Sequence, residues 1–202
     1  MAFIPAAVLD ARSAELWRRF RLEPGFDAEA LLDSLELGLL WDTIEEREAE
    51  RILGALKARD RLVILNDRHL AELESSPGLR RFTIAHEVGH WLLHADDARS
   101  GTIPLDGGGR TWCRSGATEP VERQAEMFAA RLLVPRDRIA RAIPAGAWSG
   151  WGPVYGLADV FVVTVTAMMV RLEELKLAHR DEFGLPRSGR SAPAGQGVLF
   201  SD

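Results

Sequence analysis

His86-Glu87-Val88-Gly89-His90 sets two imidazoles four residues apart with a carboxylate beside the first. On a helix, at about 100° per residue, the two histidines stand roughly 40° apart around the axis and one turn apart along it, so both rings can reach one ion. Glu87 falls on the adjoining flank, where it can take a proton from a metal-held water without becoming a ligand. The chemistry this spacing serves is metal-assisted hydrolysis, and two imidazoles with a carboxylate suit Zn2+. The competing reading is a solvated helix face that merely carries these residues. Against it, Ile84, Val88, Trp91 and Leu92 gather on one side while Thr83, His86, Glu87, His90 and His94 lie about opposite.

A catalytic zinc takes three protein ligands and keeps one open position, so one more ligand is needed. His94 continues the four-residue series, but it sits about 12 Å along the axis from His86, too far to share one ion. A helix-end role suits it better. Asp96 stands where a longer metalloprotease motif places its third ligand, yet that motif turns sharply on a glycine and this chain has Leu93. Glu122 opens a later apolar-faced helix that could pack beside the first. Glu126, one turn on, could then accept an imidazole N–H and orient that ligand. Spacing alone leaves Asp96 and Glu122 open.

Several elements must position these residues. Two short helices are expected over residues 8–37, the second capped by Asp27 and closed by Gly38 in the left-handed position. The charge-dense stretch 44–60, anchored by Ile52, Leu53 and Leu56, reads as an exposed helix, and Arg61-Leu62-Val63-Ile64-Leu65-Asn66 as a buried strand. Ser76-Pro77 signals the start of a helix reaching His94. A long loop holding Gly107, Gly108 and Gly109 precedes a core helix from Pro120 that must stop before Pro135. Residues 155–177 read as helix, turn, helix, and beyond Gly184 the composition predicts no fixed structure.

Composition narrows the setting. The 202 residues, 47% hydrophobic and 27% charged, suit one core of ordinary size, and a net charge of −5 offers no broad footprint for nucleic acid. One cysteine, Cys113, excludes an intramolecular disulfide and points to a reducing, cytoplasmic setting. The N-terminal residues do not read as a secretion signal, and no apolar run approaches the roughly 20 residues of a membrane span.

The segments Arg81-Phe82-Thr83-Ile84-Ala85-His86-Glu87-Val88-Gly89-His90 and Glu122-Arg123-Gln124-Ala125-Glu126-Met127-Phe128-Ala129-Ala130-Arg131-Leu132-Leu133-Val134-Pro135 resemble the ImmA/IrrE family of bacterial metallopeptidases. The second departs from the family's pattern at Glu126, usually Asn or Asp, and at Val134, usually Met. Weaker similarity extends over residues 27–180. The resemblance implies an α+β, zincin-like core with a small curved sheet over residues 1–135, followed by a helix-turn-helix-like helical extension over 136–183 and a loose tail over 184–202. It implies His86, His90 and Glu122 as zinc ligands and Glu87 as the catalytic base. Its implied substrate is a separate helix-turn-helix repressor in a stress or mobile-element response, since this chain leaves no room for a DNA-binding domain before its core.

Two other classes of function stay in view: an amidase-like zinc hydrolase, and a non-catalytic DNA- or protein-binding module that keeps a structural metal. Direct nucleic-acid binding is not expected, because Glu173 and Glu174 interrupt the basic residues Arg171, Lys176 and Arg180. Tyr155 and His179 are candidates to stabilise an oxyanion, Trp148 and Trp151 to line a groove, and Cys113 to occupy the open metal position as a latency switch. Gln196-Gly197-Val198-Leu199-Phe200 resembles the short motif by which bacterial proteins bind the DNA sliding clamp.

Overall fold

The computed structural model describes residues 4–46, 51–99 and 120–189. Helices α1 (Ala6–Phe20) and α2 (Ala28–Ser34) come first. Asp27 caps α2 as its sequence predicts, its Oδ1 accepting the Glu29 and Ala30 N–H groups. The other end departs from expectation. The helix stops at Ser34, and Glu36, not Gly38, takes the left-handed conformation (φ 56°). Arg61 makes this possible by donating to the Leu35 and Glu36 carbonyls, which leaves Gly38 free to open a strand.

That strand, β1 (Gly38–Asp42), runs parallel to β3 (Leu62–Asn66), with Gly38 opposite Leu62 and Asp42 opposite Asn66. Between them in sequence, β2 (Gly54–Lys57) pairs antiparallel with the other side of β3, giving the order β1-β3-β2. The exposed helix expected over 44–60 is therefore corrected for the described residues 44–46 and 51–60. Ile52, Leu53, Ala55 and Leu56 are all buried, so the segment is covered on both faces and lacks the alternation that betrays a strand. Glu45 and Glu46 belong to the crossover from β1, whose base Asn66 holds by bonding the backbone of Ile44 and Ile52.

After a 3-10 turn (Asp67–His69) come α3 (Leu70–Ser75) and α4 (Pro77–Arg99). The latter opens at Pro77 as expected and runs past His94, the predicted end. Helix α5 (Pro120–Leu133) ends before Pro135, and α6 (Arg136–Ala142) follows. Helices α7 (Gly152–Phe161) and α8 (Val165–Glu174) form the expected helix, turn, helix, bent by 102°. The turn seats on the start of α4, where Gly78 leaves no room for a side chain: a Cβ there would stand 2.7 Å from the Thr164 nitrogen. Arg81 ties the same junction by donating to the Phe26, Phe161 and Val162 carbonyls.

The expectation of no fixed structure from Gly184 onward is also corrected for residues 184–189. Strand β5 (Pro186–Ser188) pairs with β4 (Ala178–Arg180), and the Asp181 carboxylate gathers the Phe183 and Leu185 N–H groups across a turn that Gly184 closes at φ 75°. Polar composition hides this hairpin because, of its strand residues, only Ala178 and Pro186 are buried and backbone bonding supplies much of the rest of its hold. One apolar core, including Leu9, Val88, Phe128, Phe161 and Met168, joins α1, α4, α5, α7 and α8. Among the described residues, no single helix is long and apolar enough to cross a membrane.

Candidate metal centre

Helices α4 and α5 lie side by side, and Gly89 lets them. A Cβ on Gly89 would stand 3.1 Å from both the Cα and the carbonyl oxygen of Ala125, so the backbones meet closely at this point. Glu122, just under one turn N-terminal of Ala125, is thereby carried over the histidines of α4.

The ligand atoms converge. His86 Nε2 lies 3.1 Å from Glu122 Oε2, His90 Nε2 lies 3.4 Å from Glu122 Oε1, and the two Nε2 atoms are 2.9 Å apart. Tetrahedral ligands at 2.0–2.1 Å from one zinc stand roughly 3.3 Å apart, so the two ring nitrogens and the carboxylate already have about the spacing one ion requires. His86, His90 and Glu122 are also the only metal-holding group of three among the described residues. Both imidazoles are buried, and aiming two ring nitrogens and a carboxylate at one point without a shared proton or cation is costly. The donor set therefore fits zinc.

Glu87 sits beside this trio at 0% exposure, and neither of its oxygens has a hydrogen-bond partner. Burial pushes its carboxyl up to about 7, with the His90 charge opposing and the Glu122 charge adding to the rise. Glu122 moves the other way. Burial would raise it, but the hydrogen bonds and charges of His86 and His90 outweigh that and hold it at about 2. One carboxylate is thus fixed as an anion while its neighbour is poised to exchange a proton near neutrality.

Gly54 of β2 backs onto Glu87, as a residue whose contribution the sequence does not announce. A Cβ there would meet Thr83 Cγ2 at 2.7 Å and come within 3.5 Å of Glu87 Oε1. In the antiparallel ladder Leu53 receives the Asn66 N–H and Ala55 faces Ile64, so the backbone groups of Gly54 and Leu56 point to the opposite edge of β2.

The remaining candidates sort as follows. His94 is buried, its ring centroid 5.9 Å from that of His90, and stands outside the converging trio. Asp96 lies on α4, which continues to Arg99 without the break a third ligand there would need. The bond expected from Glu126 to an imidazole is not formed: the Nδ1 atoms of His86 and His90 have no partner. Glu126 is half-buried, its carboxyl raised by burial while the His86 charge draws it down. Tyr155 is exposed beside Trp151, and His179 faces the Gly189 carbonyl; neither bonds to the site. Trp148 and Trp151 are partly buried against the core. Cys113 and the segment 196–200 lie outside the described residues.

Residues 56–173 match the peptidase family described as the IrrE N-terminal-like domain. The chain belongs to this family. The match includes both helices of the metal centre and the α7–α8 pair, so the family's pattern extends beyond the two motifs. Among solved structures, the fold is similar to that of a Mycobacterium tuberculosis transcriptional regulator, with a TM-score of 0.52 at 16% identity, over 92% of this chain and 56% of that one. This chain thus spans little more than half the length of that protein. No curated protein matches it.

Proposed function

We propose that this IrrE-type domain is a zinc-dependent endopeptidase acting in the cytoplasm on a separate helix-turn-helix repressor or a similar regulator. The observation that carries the peptidase reading is the meeting of His86, His90 and Glu122 beside a buried, unpartnered Glu87. Zinc, when bound there, would polarise a peptide carbonyl and make water a competent nucleophile near neutral pH. Glu87 would accept the proton of the attacking water and return it to the leaving amine.

Strand β3 is paired on both sides and offers no free edge to an extended substrate. Strand β2 is the edge that stands against Glu87, so an extended peptide adding there would be read through the Gly54 and Leu56 backbone. Such reading favours backbone over side chains and suits a target presented as an unfolded or looped segment. The choice of a repressor rests on the family resemblance. Co-expression with a candidate repressor tests it: a defined cut that disappears with Glu87→Gln supports the reading, and an identical cut in both proteins rules it out.

Recognition of DNA by α8 is disfavoured. The outward residues of that helix include Thr166 and Val170, and its only arginine, Arg171, is 2% exposed. A helix without an exposed cation has little with which to neutralise phosphate.

A further inference from the structure

Helix α5, which brings Glu122 to the histidines, is held at its far end by two helices that contribute nothing to the metal trio. The last carbonyls of a helix have no partner within it. Here Ser13 Oγ donates to the Arg131 carbonyl (3.0 Å), Trp17 Nε1 to that of Leu132 (2.8 Å), and Arg171 Nε to that of Val134 (3.0 Å). Ser13 and Trp17 come from α1 and Arg171 from α8, and all three are buried.

A second tier of charges keeps the donors in place. Glu174 of α8 accepts from Arg131 at 2.6 Å and from Arg171 at 2.7 Å, while Asp10 of α1 pairs with Arg131 at 3.1 Å. Three neutral acceptors and two carboxylates therefore meet donors from three helices, with the donors Ser13, Trp17, Arg131 and Arg171 buried and the carboxylates of Asp10 and Glu174 at the solvent edge. A helix is stiff along its axis, so a slip or turn at Leu132 is transmitted to Glu122. One residue of slip amounts to about 1.5 Å and 100°, enough to carry the carboxylate away from both imidazoles.

We propose that Ser13, Trp17 and Arg171 are positioning residues of the metal centre, setting the height and rotation of α5 and so placing Glu122 against His86 and His90. The proposal rests on reading that trio as a metal site. It makes α8 part of the metal centre's mounting: whatever displaces α8 must loosen the metal.

The test is zinc affinity by chelator competition, alongside the melting temperature of the metal-free protein, for the wild type and for Trp17→Phe, Arg171→Lys and Ser13→Ala. Trp17→Phe keeps an aromatic ring and loses only the indole N–H and part of the volume. Asp27→Ala serves as a control, since it destabilises the α2 cap and touches no part of α5. We expect Trp17→Phe and Arg171→Lys to bind zinc about tenfold more weakly, the low end of what losing an orienting partner costs. The loss should exceed that in Asp27→Ala at a matched fall in melting temperature, and Ser13→Ala, the mildest change, should fall between wild type and these two. Affinity unchanged in all three, or lowered only as far as in the control, overturns the proposal. A wild type without zinc affinity overturns the metal reading and this proposal with it, whereas tight binding in wild type and variants alike overturns only this one.

Discussion

Glu87 and Glu122 face the same pair of imidazoles, yet their surroundings drive them apart, one to about 7 and the other to about 2. Only Glu87 lacks any hydrogen-bond partner, which assigns it proton transfer and leaves ligation to Glu122. Glu87→Gln should therefore retain zinc while cleavage falls by about 10²–10⁴-fold, measured as turnover of a target peptide. The metal-free protein offers a second check through pH. Because the Glu87 carboxyl rises from an ordinary 4.5 to about 7, the folded state holds a proton that the unfolded state has released across that window. Stability falls with rising pH wherever the folded state binds more protons. The melting temperature of the metal-free wild type should thus drop between pH 4.5 and 7 by more than that of Glu87→Gln; equal slopes would mean that the carboxyl is not buried as described. At this scale the sequence was informative where spacing on one helix decides, as for His86, Glu87 and His90. It expected from Glu126 a bond to an imidazole that is not formed, because such bonding depends on side-chain directions across two helices, and it chose between Asp96 and Glu122 only through resemblance.

The elements themselves meet at glycines whose purpose spacing does not reveal. Gly89 sits inside the metal motif, and its role is the backbone contact with Ala125 that brings Glu122 into range. Gly89→Ala forces two main chains apart, so it should cost about 1–3 kcal/mol of stability, read by denaturant unfolding, and weaken zinc binding as well. Normal zinc affinity in that variant would show that α5 reaches its place without the close approach. Strand β2 was hidden because it is short, covered on both faces and led in by charge, so neither periodicity nor composition marks it. Helix α5 was legible for the opposite reason: it shows its apolar face in sequence, and Pro120 and Pro135 bracket it.

Across the whole molecule, the α7–α8 pair is packed into the common core, and its turn is seated against Gly78 and bonded by Arg81. The buried Arg171 turns a residue that reads as a phosphate contact into a strut for α5, a distinction that charge patterning along a sequence cannot make. A gel shift with duplex DNA should accordingly show no complex whose affinity falls steeply with salt, and a steep slope would return α8 to a DNA-reading role. The hairpin at 178–188 escaped the sequence because its hold on residues 148–150 is made of backbone bonds. All of these contacts serve one arrangement, the trio of His86, His90 and Glu122. Its most direct test is metal content by mass spectrometry on protein purified without added metal, comparing wild type with His90→Ala and Glu122→Ala. About one zinc per chain is expected in the wild type and none in either variant; a metal-free wild type, or zinc retained without Glu122, would overturn the site formed by His86, His90 and Glu122.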